Sequence, residues 1–273
     1  MRSIGLCVAA LVAAGIVAPS CRTLADDANS LYQAMEIVTG TDLRERPRGF
    51  AQCLQDVLVK VSGDPRLRAD PRVIALAQHA GDYVVTFNYV DPIAGTRPKD
   101  DQGTYDRSEN LTITFDPAKI DALLTSLGDP PWHGPRPVLV PVLSVHGRKP
   151  PAYLLSTTEP LAAEQRDAFE RIAAEAGIPL RLPTASGFLR LHTRNDSVAP
   201  CGPDGTIVVL GRLDWSETAP GWIGTWHTCW QGHQHVWSLH GGGYDLAFAN
   251  IVQGAMLLAS GRGTPDMLQV NGH

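Results

Sequence analysis

The stretch TIVVLGRLDWSETAPGWIGTWHTCWQGHQHVWSLHGGGYDLAFANIVQGAMLLAS, Thr206–Ser260, decides the fold class. Within it, Ile207 to Leu213, Trp222 to Trp230 and His235 to Leu239 are rich in β-branched and aromatic residues, the composition of strands. Turn residues at Thr218-Ala219-Pro220-Gly221 and Gly232-His233 separate them, so they read as a three-stranded antiparallel meander. From Leu246 to Ala259 the period changes: Phe248, Ile251 and Ala255 recur at helical spacing, predicting a helix packed on the sheet. Gly241-Gly242-Gly243 lies between the two. It has neither the spacing of a dinucleotide fingerprint nor a phosphate-binding lysine, and reads as a turn.

Upstream, Pro137 to Val145 is almost wholly apolar, as in a strand covered on both faces. Thr158 is expected to cap a helix whose buried stripe is Phe169, Ile172, Ala173 and Ala176, with Gly177 at its end; Ile178 to Leu182 reads as a short strand. Gly187 to Gly205 shows no clear period. Residues 131–263 thus form a carboxy-terminal α/β domain, and residues 264–273 a polar tail expected to fray.

Residues 26–130 read as β-α-α-β-β-α. Tyr32 to Thr39 alternates as a strand, and Pro47 opens a helix with Phe50, Cys53, Leu54, Val57, Leu58 and Val61 on one face. Gly63 suits the left-handed position past that helix. Val73, Leu76 and Ala77 mark a second short helix; Tyr83 to Val90 and Leu111 to Phe115 are strands joined by a polar loop containing Asp100-Asp101. That acidic pair lacks the alternating oxygen ligands of a calcium loop. Asp116-Pro117 opens a helix with core residues Ile120, Leu123, Leu124 and Leu127. The fold class is therefore mixed α/β (α+β), in two strand-helix modules, the second ending in the meander and a carboxy-terminal helix.

The first 25 residues carry Arg2, an apolar run from Ile4 to Ala18 and the small-residue site Thr23-Leu24-Ala25. This predicts a Sec-type signal peptide, residues 1–25, and a periplasmic mature chain beginning at Asp26. The rival reading is a lipoprotein anchored at Cys21. Without the leader the chain has 21 Lys and Arg against 28 Asp and Glu, a formal charge of −7. That argues against nucleic acid as a partner, and no second apolar run is long enough for a membrane span.

Two clusters fall within the decisive stretch. His227, Cys229, His233, His235 and His240 occupy two strands and their turn; His227 and Cys229 share a face, and His235 from the next strand is placed to join them in a zinc or copper site. Against this, Cys229 is also a candidate for a disulfide with Cys201, the alternative being two unpaired thiols. The second cluster is aromatic: Trp222, Trp226, Trp230 and Trp237 are either the core under the last helix or an exposed platform for a protein or glycan. No Gly-x-Ser-x-Gly, His-Glu-x-x-His, phosphate-loop or Cys-x-x-Cys motif occurs.

Several segments in order resemble the exported proteobacterial proteins grouped as domain of unknown function 2066. They are Leu54-Gln55-Asp56-Val57-Leu58-Val59-Lys60-Val61-Ser62-Gly63, Phe115-Asp116-Pro117, Pro131-Trp132 with Arg136-Pro137, Leu210-Gly211-Arg212, and the tryptophan strands leading into Gly242-Gly243. The resemblance implies export and a two-part α/β build, and that family has no established activity to carry over. The arrangement is also similar to periplasmic accessory modules such as the flagellar T-ring assembly protein, which bind other envelope proteins. The leading expectation is a non-catalytic periplasmic binding or accessory protein without a cofactor, its partner another cell-envelope protein. The alternatives are a metal-binding protein or metal-dependent enzyme using His227, Cys229 and His235, and a cell-wall glycan-binding module.

Overall fold

A computed structural model describes residues 30–41, 43–44, 46–92, 108–187, 199–219 and 221–268. The expected signal peptide, Cys21 and Asp100-Asp101 lie outside these residues. The chain runs β1 (Gln33–Thr39), α1 (Arg46–Ser62), α2 (Pro71–Ala77), β2 (Val84–Val90), β3 (Ser108–Phe115), α3 (Pro117–Leu127), β4 (Val138–His146), β5 (Tyr153–Leu154), α4 (Ala163–Glu175), β6 (Thr206–Ser216), β7 (Gly221–Trp230), β8 (His233–His240) and α5 (Tyr244–Ser260). The fold is mixed α/β. One antiparallel sheet has the order β1-β3-β2, and a five-stranded sheet has the order β5-β4-β6-β7-β8. Among the described residues no helix is long and apolar enough to cross a membrane.

Local chemistry explains the element boundaries. The α1 stripe from Phe50 to Val61 is buried, as its spacing requires. Its chain reversal needs the left-handed conformation, and Gly63 supplies it with φ of 77°. Asp116 accepts from the amides of Ala118 and Lys119 at 2.9 and 3.2 Å, with Pro117 at the first position of α3. On the α1 stripe, burial pushes the Cys53 thiol up to about 12, so it behaves as a small apolar side chain.

Three details differ from the sequence reading, and a fourth, the β4–β6 pairing, was not read from it. The cap before α4 is Glu159 rather than Thr158: its carboxylate accepts from Leu161 N at 3.1 Å and opens a 3-10 turn, Pro160–Ala162, before α4 begins. Pro160 takes the first position of that turn, where a missing N–H costs nothing. Ile178 to Leu182 makes only a parallel bridge, Leu139 to Leu180, because Pro179 and Pro183 cannot donate to a ladder. Within the tail, Pro265–Leu268 is a 3-10 turn and Pro265 is buried. It follows Arg262, which is held by Asp129 at 2.8 Å; residues beyond Leu268 lie outside the described ones. Finally, β4 pairs with β6 in parallel, with α4 in the connection between them.

Gly128 to Pro131 separates two sheets that share one core. A single hydrophobic cluster runs from Leu54 and Leu58 of α1 to Phe248 and Ile251 of α5. Polar contacts cross the same junction: Trp132 N donates to Val61 O at 2.9 Å, and Ser260 Oγ to Gly63 O at 3.2 Å. Arg136 bridges two helix ends, donating from Nη2 to Lys60 O at 2.5 Å and from Nη1 to Ala176 O at 3.4 Å, while its guanidinium stacks over Trp132. Burial pulls it down to about 10. The carbonyl ends of helices favour a cation, so Arg136 fixes the angle between α1 and α4. Arg136→Ala is expected to lower stability by about 1.5–3 kcal/mol, the range for hydrogen bonds to a charged group. Arg136→Lys should recover only part of it, since an ammonium lacks the planar fork. Urea denaturation of the two variants measures both.

Candidate functional site

The register of β7 and β8 sorts the histidines and tryptophans. Trp226 pairs with Trp237, Thr228 with His235, Trp230 with His233, and His227 with Val236. Directly opposed residues project to one face, and neighbours along a strand to opposite faces. His227 and Cys229 therefore face away from the core, whereas His235 and His233 lie on the face that carries Trp226. His240 pairs with Ile223, on the outer face. The proposed ligand set is thus divided by the sheet, and Cys229 is joined to Cys201 in a disulfide. Among the described residues no group of three metal-ligating side chains forms. The metal-site reading of His227, Cys229, His233, His235 and His240 is corrected accordingly. Burial and neighbouring His233 lower the pKa of His235, and His227 Nδ1 is buried with no partner among the described residues.

The tryptophan platform is corrected too. Trp226 and Trp237 are fully buried under α5, and Trp222 and Trp230 are half-buried against the same core. Trp226 Nε1 donates to Asn250 Oδ1 at 3.0 Å. Its ring lies over two glycines: a Cβ at Gly224 would stand 2.1 Å from it and one at Gly211 2.3 Å. The missing side chains make the slot. Trp226 and Trp237 are therefore packing, and Trp222 and Trp230 are partly covered against the same core.

A groove of about 660 Å³ lies instead between the modules. β1 and α1 form one wall, α4 and α5 the other. Its apolar surface includes Ile37, Ile172 and Leu246; Ile37 and Leu246 are exposed. Asp56 is paired with Arg68. Across the groove Arg171 contacts Glu175 at 3.2 Å and Asp245 at 3.0 Å. Lys60, buried, donates from Nζ to Gln33 O at 2.8 Å.

Comparison with known families places the first module. Residues 25–133 match the family model described as Domain of unknown function (DUF8605). This is a different family from domain of unknown function 2066, so that resemblance is corrected. Of the segments that carried it, Leu210-Gly211-Arg212 and Gly242-Gly243 fall outside the matched span. No curated protein and no solved structure matches the chain. The matched span includes β1 and α1 of the groove and stops before α4 and α5.

The groove was not legible from sequence. Its residues come from segments far apart in the chain, and no local motif marks them. The one available signal was Glu36, an acid on the inward-facing side of an alternating strand. Burial raises its pKa, with the Asp56 and Glu175 carboxylates adding to the rise and Arg68 and Arg48 opposing it. Burial also raises Asp56, against the pull of Arg68, and lowers Lys60, against the pull of Asp56. The surface offers ion pairing and apolar contact, and among the described residues its lining holds no serine, cysteine or histidine.

These shifts have a defined sign. A carboxyl whose folded pKa lies above its unfolded value binds more protons in the folded state between the two values. Glu36 and Asp56 therefore contribute stability as pH falls through their raised folded pKa, and remove it as pH rises. Glu36→Gln is expected to raise the unfolding midpoint at neutral pH, and to flatten its rise on acidification. Thermal unfolding of wild type and variant from neutral to mildly acidic pH checks this.

Proposed function

We propose that this chain is a non-catalytic periplasmic binding or accessory protein of the cell envelope, and that it holds another envelope protein in the inter-module groove. The observation that carries this reading is the groove itself, with charged side chains set around an apolar surface whose two walls belong to one continuous core. Binding sites of this size are concave, mostly apolar and supplied with a few oriented polar groups. The predicted signal peptide supports the compartment, as does the Cys201–Cys229 disulfide, which suits an oxidising environment. The negative charge of the mature chain supports a protein partner over nucleic acid.

A photo-crosslinking residue in place of Leu246, exposed on the groove wall, tests the reading in living cells. It is expected to give a discrete adduct with an envelope protein in the periplasmic fraction. The same residue in place of Asp204, exposed and outside the groove, is expected to give none. Equal labelling from both positions, or from neither, would overturn the assignment.

A further inference from the structure

We infer that the free edge of β1 pairs with an extended segment of the partner protein, adding a fourth strand to the three-stranded sheet, with a Lys or Arg side chain of that segment opposite Glu36. This rests on the binding-protein reading above and specifies the class of ligand.

The direction of the β1 backbone is known from two contacts. Phe115 N donates to Tyr32 O at 2.9 Å, so Tyr32 belongs to a pair whose main-chain groups face β3. Hydrogen-bonding direction alternates along an antiparallel strand, and the β1–β3 register is unbroken from Gln33 to Thr39. The main-chain groups of Gln33, Met35, Ile37 and Thr39 therefore point away from the sheet. Lys60 Nζ reaching Gln33 O from outside agrees with this. Met35 and Ile37 thus present N–H and C=O groups that are unpaired among the described residues, beside the groove, and both side chains are exposed.

Edge strands are ordinarily shielded by bulges, brevity or covering elements. Among the described residues the other three edges are treated in that way. β2 has a register shift between Val84 and Thr86, β5 is two residues long, and β8 packs against the 3-10 turn Pro265–Leu268. β1 has a regular edge with exposed Met35 and Ile37, and among the described residues its one such device is Lys60 at Gln33, at the start of the strand.

Charge selects the occupant. Four carboxylates and three cations line the groove. Asp56, Glu175 and Asp245 are engaged by Arg68 and Arg171. Lys60 is turned to a main-chain oxygen. Glu36 makes no ion pair among the described residues; Arg48 and Arg68 act on it only from a distance. In an added strand the residue directly opposite Glu36 would share its face at about 5 Å, where a basic side chain is favoured and an acidic one repelled. The same-face neighbours of that residue would lie toward Ile172 and Leu246, and the alternate ones on the open face beside Met35 and Ile37.

The probe is the labelled peptide Val-Thr-Val-Thr-Lys-Thr-Val-Thr-Val, titrated into the full mature chain by fluorescence polarisation. The expected result is saturable binding, weakened about tenfold or more when glutamate replaces the lysine, since like charges then meet. Peptides N-methylated along one edge or the other should differ, one binding and one not. Hydrogen exchange at the Met35 and Ile37 amides should slow on binding. Ile37→Pro removes an outward donor that the β3 ladder does not use, a position where edge strands accept proline. It should leave the fold intact and abolish binding. Should that variant not fold, the methylated peptides test the edge with the chain unaltered. Equal affinity for both methylated peptides, a folded Ile37→Pro chain that binds normally, or no binding at all overturns the inference. So does a self-paired dimer with protected Met35 and Ile37 amides that the peptide leaves intact. If in-cell crosslinks from the Leu246 position persist in any of those cases, the binding-protein reading stands and only the strand addition falls.

Discussion

Trp226→Ala is expected to lower the stability of the whole chain by about 3–5 kcal/mol, the range for deleting a buried aromatic side chain. The ring is fully buried, and the space around it was shaped for it by Gly211 and Gly224. Truncation would leave that slot empty and would also strand the Asn250 carboxamide oxygen, which accepts the indole N–H at 3.0 Å. Urea denaturation followed by intrinsic fluorescence measures the loss. Gly224→Ala should be destabilising as well, because its Cβ would enter the indole ring. A Trp226→Ala chain that kept wild-type stability but lost partner capture would return the tryptophans to a recognition role.

Removing the Cys201–Cys229 disulfide is the second large effect. The bond closes a loop with a sequence separation of 28, and constraining such a loop in the unfolded chain stabilises the fold by about 3–4 kcal/mol on the chain-entropy account. It also pins the approach to β6 across the outer face of the larger sheet. There Ala199 packs on Val140, Val142, Val208 and Leu210, and Gln234 Nε2 donates to Ala199 O at 3.0 Å. The Cys201→Ala, Cys229→Ala double variant is expected to unfold at lower denaturant and to bind a hydrophobic dye in buffer as that small cluster opens. Dithiothreitol should reproduce the effect in wild type and leave the double variant unchanged. Equal midpoints for oxidised and reduced wild type would show that the cluster holds the segment unaided.

Both effects arise where local reading met its boundary. The stripe from Phe50 to Val61, the Asp116-Pro117 helix start, the glycine turn at Gly63 and the succession of strands and helices were legible in the sequence. Each depends on residues within a few positions of one another: helical periodicity, an N-cap carboxylate, a left-handed φ. The sorting of His227 from His235 was not legible, because it depends on the register of β7 against β8, and a shift of one residue exchanges every side chain between faces. The burial of Trp226 depended on glycines of β6 and β7 meeting under α5. The groove depended on bringing β1 and α1 against α4 and α5, across more than half the chain. The sequence by itself determined most of the elements, their order and the mixed α/β class, since these follow from short-range sterics and amphipathicity. The tertiary structure alone decided which face each strand residue serves, which aromatic rings are core, and where a free strand edge stands beside a charged groove. Those outcomes follow from contacts between distant segments, which no local pattern encodes.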